Sequence, residues 1–201
     1  MRHKLILILF LPTFLFSQKG KTSKYKDAYF ASGCFWCVEA IFETVKGVDF
    51  AESGYSGGNT KNPSYEDICT GKTGHAETVK VHYDTTVISY KDLLRVFFNS
   101  HDPSTLNQQG PDRGTQYRSA IFYKTATEKE QANSYIKQLK KEGKFKTITT
   151  EVEPFTVFYK AESYHQDYEK NNPDNPYIEN VSKPRLNAFK KKTKDLLRKH
   201  E

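Results

Sequence analysis

Two cysteines three residues apart, Cys34 and Cys37, sit where a short strand-like run hands over to a helical pattern. The stretch Gly33-Cys34-Phe35-Trp36-Cys37 holds two of the three cysteines and the single tryptophan. Ahead of it, Ala28 to Ser32 reads as a strand. Behind it, Val38, Ile41, Phe42 and Val45 recur at i, i+3, i+4 and i+7, the spacing of one helix face, and Gly47 is the stop signal. Cys34 is therefore expected at or just before a helix N-terminus. There the unpaired N–H groups and the positive end of the helix dipole favour a thiolate. Cys37 falls about one turn further on, on the same face. A thiolate with a second thiol in reach is equipped for redox chemistry, and Phe35 and Trp36 put apolar surface beside the sulfur. Two plainer readings stand next to this one. Free cysteines are commonly buried small hydrophobes, and a C-x-x-C can be half of a zinc site. Cys69 and His75 would complete a tetrad, but nothing in their spacing asks for it. A C-x-x-C beside a β-α-β pattern reads first as a redox pair.

The N-terminus carries a targeting pattern. Arg2, His3 and Lys4 precede an apolar run from Leu5 to Phe16, interrupted by Pro12 and too short to span a bilayer. Residues 1–17 are read as a secretory signal peptide, the alternative being an uncleaved anchor. Residues 18–25 are a lysine-rich linker. Export to a periplasmic or extracellular space implies oxidising surroundings. A Cys34–Cys37 bridge closes too short a loop to stabilise much through chain entropy, which argues for a working disulfide. Residues 26–178 form one domain, long enough for a sizeable core. Charged residues at 27% and aromatics at 14% fit a folded chain rather than a disordered one. The net charge of +7 is concentrated at the end, where Lys183 to Glu201 holds eight Lys and Arg against two acidic residues. Residues 179–201 are expected to be a basic extension, solvated or frayed. A basic module binding an anionic surface through this tail is the non-enzymatic alternative.

The chain in order gives a fold class. Val48 to Tyr55 reads as a second strand, followed by a turn-rich loop and a short helical piece, Ser64 to Thr70. Glu77 to Tyr83 alternates: Val79, Val81 and Tyr83 share one face, Thr78, Lys80 and His82 the other, and Glu77 has the apolar parity. A capping box, Ser89 to Asp92, starts a helix with Tyr90, Leu93, Leu94, Phe97 and Phe98 in a stripe. After a long loop, His101 to Tyr117, come a strand from Arg118 to Tyr123, a helix capped at Thr127 to Glu130, and a strand-like segment from Thr149 to Phe158. Tyr164 to Tyr168 looks helical, and Asn171 to Pro176 breaks it. The first six elements, strand-helix-strand-strand-helix-strand, predict an α+β fold. It has a ferredoxin-like split β-α-β core, a mixed sheet and extra C-terminal helices.

Several side chains are candidates to converge on Cys34. A carboxylate with the parity of a buried face is desolvated, stays protonated and serves as a general acid, which is the reading for Glu77. Tyr55, at a strand end, and Tyr117, at the end of the long loop, can donate to a developing oxyanion. Asp112 sits in a turn, where aspartates usually satisfy their own backbone. His165, with Tyr168 close by, invites comparison with a cysteine-protease base, but a histidine among tyrosines is more often supporting structure.

Five separated motifs resemble the peptide methionine sulfoxide reductase family, type A. They are Gly33-Cys34-Phe35-Trp36, Gly54-Tyr55-Ser56-Gly57-Gly58, Gly74-His75-Ala76-Glu77, Gly114-Thr115-Gln116-Tyr117-Arg118-Ser119 and Tyr164-His165-Gln166. The resemblance runs from about Ala28 to Tyr168 and leaves the extension after Pro173 outside. It implies that Cys34 attacks the sulfoxide sulfur and becomes a sulfenic acid. Glu77 would protonate the leaving oxygen with help from Tyr55 and Tyr117, Phe35 and Trp36 would pack the methyl group, and Asp112 would organise the site. His165 and Tyr168 would support it from behind. Such enzymes each take one sulfoxide epimer, here the S form. Many members place resolving cysteines in a C-terminal tail; this tail has none, so the resemblance makes Cys37 the resolving thiol and leaves Cys69 outside the redox cycle. A bridge within one helical turn requires that turn to loosen. A thioredoxin-like dithiol is the implied reductant, oxidised methionine in exported proteins the implied substrate, and neither a metal nor a cofactor is implied. The competing enzymatic reading, a general exported thiol–disulfide oxidoreductase, rests on the C-x-x-C alone.

Overall fold

Residues 23–199 are described by the computed structural model, so the expected signal peptide, 1–17, and most of the linker lie outside the described residues. In chain order the elements are β1 (Tyr25–Ser32), α1 (Phe35–Glu43), β2 (Val48–Ser56), α2 (Tyr65–Cys69), β3 (Ala76–Asp84) and α3 (Tyr90–Ser100). A two-residue hairpin follows, β4 (Gln108–Gln109) and β5 (Asp112–Arg113), then β6 (Ser119–Tyr123), α4 (Ala126–Lys141), β7 (Glu151–Pro154) and β8 (Tyr159–Lys160). The chain ends in α5 (Tyr168–Asn171), a π-turn (Ile178–Ser182) and α6 (Lys183–Lys192).

Six strands form one sheet in the order β7-β6-β1-β3-β2-β8. Both β1 and β2 pair antiparallel with β3, which lies between them. That is a split β-α-β unit with α1 as its crossover, and β6 closes the ferredoxin-like four antiparallel to β1. β7 adds in parallel to β6, which makes the sheet mixed. The side-chain alternation of β1 feeds two cores. Ala28 and Phe30 join the residues of α1 and α3 on one face, while Tyr29 and Ala31 meet Phe122, Phe155 and Phe158 on the other. The Ser89–Asp92 capping box starts α3 as expected, and Ser64 with Asp67 starts α2 in the same way.

Three expectations are corrected. The α4 cap is Thr125, whose hydroxyl accepts from the Glu128 N–H, two residues earlier than the Thr127 start. The segment from Thr149 to Phe158 is extended, but only Glu151–Pro154 pairs, because β6 offers a partner for four residues. The third concerns the tail. The basic extension is expected as a solvated helix or frayed end; a helix is there, but it is packed. α6 packs against α1 and α3, and Phe189, Leu196 and Ser182 are buried. Beyond α6 the Lys46 N–H donates to the Leu196 carbonyl and the Arg198 N–H to that of Thr44. Burying one phenylalanine is worth roughly 1.5–3 kcal/mol, more than the modest repulsion of exposed lysines takes away. Among the described residues no helix is long and apolar enough to cross a membrane.

Candidate active site

Local geometry at the end of β1 aims Cys34. Gly33 turns the chain with φ of +87°, and a Cβ there would lie 2.6 Å from the Gln109 side chain. Only glycine fits that turn. It leaves Cys34 as the N-cap of α1, where the sequence put it, with its carbonyl taking the Val38 N–H. Gly33→Ala is expected to cost about 1–3 kcal/mol for the left-handed backbone alone. Thermal denaturation should show it as a drop of roughly 2–4 °C per kcal/mol.

The β2–β3 register brings the acid and one phenol together. Tyr55 and Glu77 are direct cross-strand partners, so both side chains leave the sheet on the same face. Glu77 is 2% exposed, and its Oε2 accepts the Phe35 N–H at 3.0 Å, one residue beyond Cys34. That bond ties the carboxyl to the free N–H groups at the start of α1 and leaves Oε1 to carry a proton. Burial pushes the Glu77 carboxyl up to about 8, against the opposing effect of the Phe35 N–H and with help from Asp112 and Cys37. Desolvation thus makes Glu77 a neutral acid at pH 7.

The other candidates divide. Tyr117 comes from the turn Thr115–Tyr117, and burial pushes its phenol up, so it stays a donor. Tyr55 is held differently from expectation: its hydroxyl donates to Glu162 Oε2 at 2.9 Å, and the same carboxylate takes the Tyr65 N–H. Its proton must leave Glu162 before it can reach a substrate oxygen. Asp112 does not satisfy its own backbone; its Oδ2 accepts the Tyr177 hydroxyl at 2.6 Å. His165 is no base for Cys34. Its Nδ1 accepts the Trp36 indole N–H at 3.1 Å, and burial pushes its pKa down. His75 uses Nδ1 for the Gly58 N–H and Nε2 for the Thr60 carbonyl, so it holds a loop instead of joining a tetrad.

Trp36 is fixed from three sides. Tyr168 stacks on it at 3.7 Å and 7°, His165 holds its N–H, and Tyr177 meets it edge-on. The segment behind it is pinned in turn. Gln166 makes two bonds to the Ser53 backbone, and the Asp167 N–H donates to Glu39, a buried carboxyl pushed up to about 7 by desolvation. An immobile indole beside the thiol is a wall for a small apolar group.

Cys34 and Cys37 are both free thiols, 6% and 1% exposed, and Cys69 is an exposed thiol at the end of α2. Burial works against the thiolate expected on Cys34. Burial, with Cys37 and Glu77 nearby, pushes the Cys34 thiol up, while the Cys34 hydrogen bond, Arg185, Ser182 and Tyr177 pull Cys37 down. One N–H of the helix start, that of Phe35, is taken by Glu77.

Sequence reasoning missed Tyr177. Tyr177 lies 3.9 Å from Cys37 Sγ while it donates to Asp112. Its signal was legible: Asn175-Pro176 is a helix start, with Asn175 Oδ1 taking the Tyr177 N–H and proline at the first helical position. Read only as a breaker, it hid the aromatic behind it.

A nucleophilic thiol, a neutral carboxylic acid, phenol donors and a rigid apolar wall can together remove an oxygen from a small polarised centre. The model of the family described as Peptide methionine sulfoxide reductase matches residues 26–197, which takes in most of the tail. A relative from Pasteurella multocida, Peptide methionine sulfoxide reductase MsrA, is 50% identical over 171 residues, covering 85% of this chain and 98% of its own. Reduced Mxr1 from Saccharomyces cerevisiae superimposes with a TM-score of 0.71 at 34% identity, over 75% of this chain and 87% of its own. Methionine sulfoxide reductase A of Corynebacterium diphtheriae gives 0.68 at 35%, over 76% and 77%.

Proposed function

Because this chain belongs to the peptide methionine sulfoxide reductase family, and is an enzyme of that activity, we propose a specific course for its reaction. The Cys34 sulfur attacks the sulfur of a methionine S-sulfoxide in a peptide or protein. Glu77 gives its proton to the sulfoxide oxygen as negative charge develops there, with Tyr117 and then Tyr55 hydrogen-bonding it. The thioether leaves as methionine, the oxygen stays on Cys34 as a sulfenic acid, and the Cys34 proton restores Glu77. Phe35 and Trp36 pack the methyl group, and Asp112, held by Tyr177, closes the far side.

Cys37 then attacks the Cys34 sulfur and water leaves, giving a Cys34–Cys37 disulfide. The cysteines sit at the N-cap and one turn into α1, and the strict geometry of a disulfide calls for that turn to loosen. A dithiol of thioredoxin type is the reductant that this bridge calls for, and exchange with it returns both thiols. The basic and apolar segments at residues 2–16 are the support for an exported enzyme that repairs oxidised proteins outside the cytoplasm.

The observation that carries this reading is the neutral Glu77 facing Tyr55 and hydrogen-bonded one residue from Cys34. Its test is single-turnover reduction of separate S- and R-sulfoxide peptides, with thiols counted before and after. Reduction of the S epimer alone, with two thiols lost, is expected. An intact S-sulfoxide peptide in the presence of excess dithiol would end the reading.

A further inference from the structure

One buried carboxyl group stands behind the Trp36 wall. Glu39 lies one turn beyond Trp36 on α1, so the two share a helix face. It is 3% exposed, and both of its oxygens are engaged. Oε2 accepts the Ser53 hydroxyl from β2, and Oε1 accepts the Asp167 N–H at 3.0 Å. Ser53 belongs to the same joint. Its N–H donates to Gln166 Oε1 at 3.1 Å, and its carbonyl takes Gln166 Nε2 at 3.0 Å. Gln166 fixes where the loop arrives, and Glu39 fixes how it leaves.

What this joint positions is the residue that follows. Asp167 takes a left-handed backbone with φ of +52°, uncommon outside glycine. The reversal brings residues on both sides of it onto one indole. His165 Nδ1 accepts the Trp36 N–H, and Tyr168 lies flat on the ring at 3.7 Å. Packing on the outer side gives little support. Tyr168 is half-buried, and a cleft of about 270 Å³ opens beside Trp36, Glu39, Asp167 and Tyr168. The helix that Tyr168 starts is four residues long, and Asp167 makes no side-chain cap to it. A small retreat of Tyr168 would matter, since a gap of about 0.5–1 Å forfeits roughly a quarter to a half of a dispersion contact.

We propose that Glu39 is a positioning residue for substrate selection: by holding the Asp167 N–H it keeps Tyr168 against Trp36, and so fixes the width of the space that receives the methyl group on the sulfoxide sulfur. This rests on the assignment of Trp36 as the wall that packs that methyl. A side chain one turn behind the wall then sets which alkyl group fits. An ethyl group on the sulfur needs room for one more methylene, and a wall that cannot recede refuses it. The hold is made of hydrogen bonds, so glutamine can replace it, offering its oxygen to the Asp167 N–H and its amide N–H to the Ser53 hydroxyl.

Two peptides test this with the full chain and excess dithiol. One carries the S epimer of methionine sulfoxide, the other the same epimer of its homologue with an ethyl group on sulfur. The unaltered enzyme should favour methyl over ethyl by about 10- to 200-fold in kcat/KM, the selectivity of one methylene in an apolar pocket. Glu39→Ala should lower that preference by about tenfold, the low end of the same range, and Glu39→Gln should keep it. General destabilisation would lower both rates together and leave their ratio unchanged. Trp36 is the single tryptophan, so its fluorescence reads the wall directly. Quenching by acrylamide should increase in Glu39→Ala and stay native in Glu39→Gln. Ser53→Ala removes the brace on the carboxyl group and should move both readouts in the same direction by less, which keeps the test open if Glu39→Ala does not fold. An unchanged methyl-to-ethyl ratio in folded Glu39→Ala, or in Ser53→Ala where that variant does not fold, overturns the proposal, and so does loss of the preference in Glu39→Gln. If the unaltered enzyme does not distinguish methyl from ethyl, the Trp36 assignment fails, while native quenching in Glu39→Ala would overturn the hold on the indole by itself.

Discussion

Glu77→Gln is expected to lower kcat/KM for an S-sulfoxide peptide by about 10²- to 10³-fold, the range for losing a positioned general acid or an oxyanion donor. Glutamine keeps the shape and can still accept the Phe35 N–H, so the loss isolates the proton. The pH profile separates this role from packing. Burial holds the Glu77 carboxyl up to about 8, so it is protonated and able to donate below that value. Above it the carboxylate cannot donate, and kcat/KM in the unaltered enzyme should fall with pH. That falling limb should vanish in Glu77→Gln, leaving a lower profile without it. Stability follows the same proton with its own sign. The folded carboxyl titrates above the unfolded value of about 4.3, so the native state holds a proton the unfolded chain has released. This contribution is full below the unfolded value and is lost as pH rises through about 8. Glu77→Gln should therefore gain stability relative to the unaltered enzyme most clearly at pH 9, read by urea denaturation at pH 6 and 9. An unchanged rate in the variant would remove Glu77 from the chemistry.

How much of this was legible in the chain depends on the range over which each residue acts. Cys34 announced its N-cap position because a strand and a helix of opposite periodicity meet at Gly33, a purely local signal. The burial of Glu77 followed from parity with Val79, Val81 and Tyr83. That parity says which face a side chain takes but not what it meets, and the Tyr55 partnership needed the β2–β3 register. Tyr55 itself was read as free because Glu162 lies more than a hundred residues away in sequence. Asp112 was read as a turn residue for the same reason, since its partner, Tyr177, comes from the other end of the domain. The tail misled through composition. Its lysines dominate the count, but Lys191, Lys192, Lys194 and Lys199 point outwards, and Ile178, Phe189 and Leu196 do the packing. Helix N-terminal position can be read from sequence, but the burial that raises the Cys34 thiol cannot.

Cys37→Ser should reduce one equivalent of S-sulfoxide at near the native rate and then stop, with steady-state turnover on a thioredoxin-type donor lowered at least a hundredfold. The two halves have separate causes. Methionine formation uses Cys34, Glu77 and the phenols, and serine returns a hydroxyl of similar size to the site beside Tyr177. Turnover needs a disulfide that a dithiol can exchange with, and the variant offers a sulfenic acid instead. Cys34 is 6% exposed, under Phe35 and Trp36, so a protein donor has little access to that acid, and Cys69 sits at the exposed end of α2. The oxidised variant should therefore accumulate Cys34 sulfenic acid, detectable by mass after trapping. A small dithiol should rescue it far better than a protein donor. Full turnover of Cys37→Ser with the protein donor would assign resolution to Cys69 or to the donor's own thiol. In the unaltered enzyme the same cycle should show in α1. Reduced, the N–H of Val38 is held by the Cys34 carbonyl at 3.3 Å. On the proposed course, that turn loosens as the two sulfurs take up disulfide geometry. Hydrogen exchange at residues 35–38 should rise on oxidation and return on reduction, and it should not respond to sulfoxide in Cys37→Ser. The same loosening would give a reductant access to the bridge, so a donor that reduces it should do so fastest under conditions that raise exchange at residues 35–38.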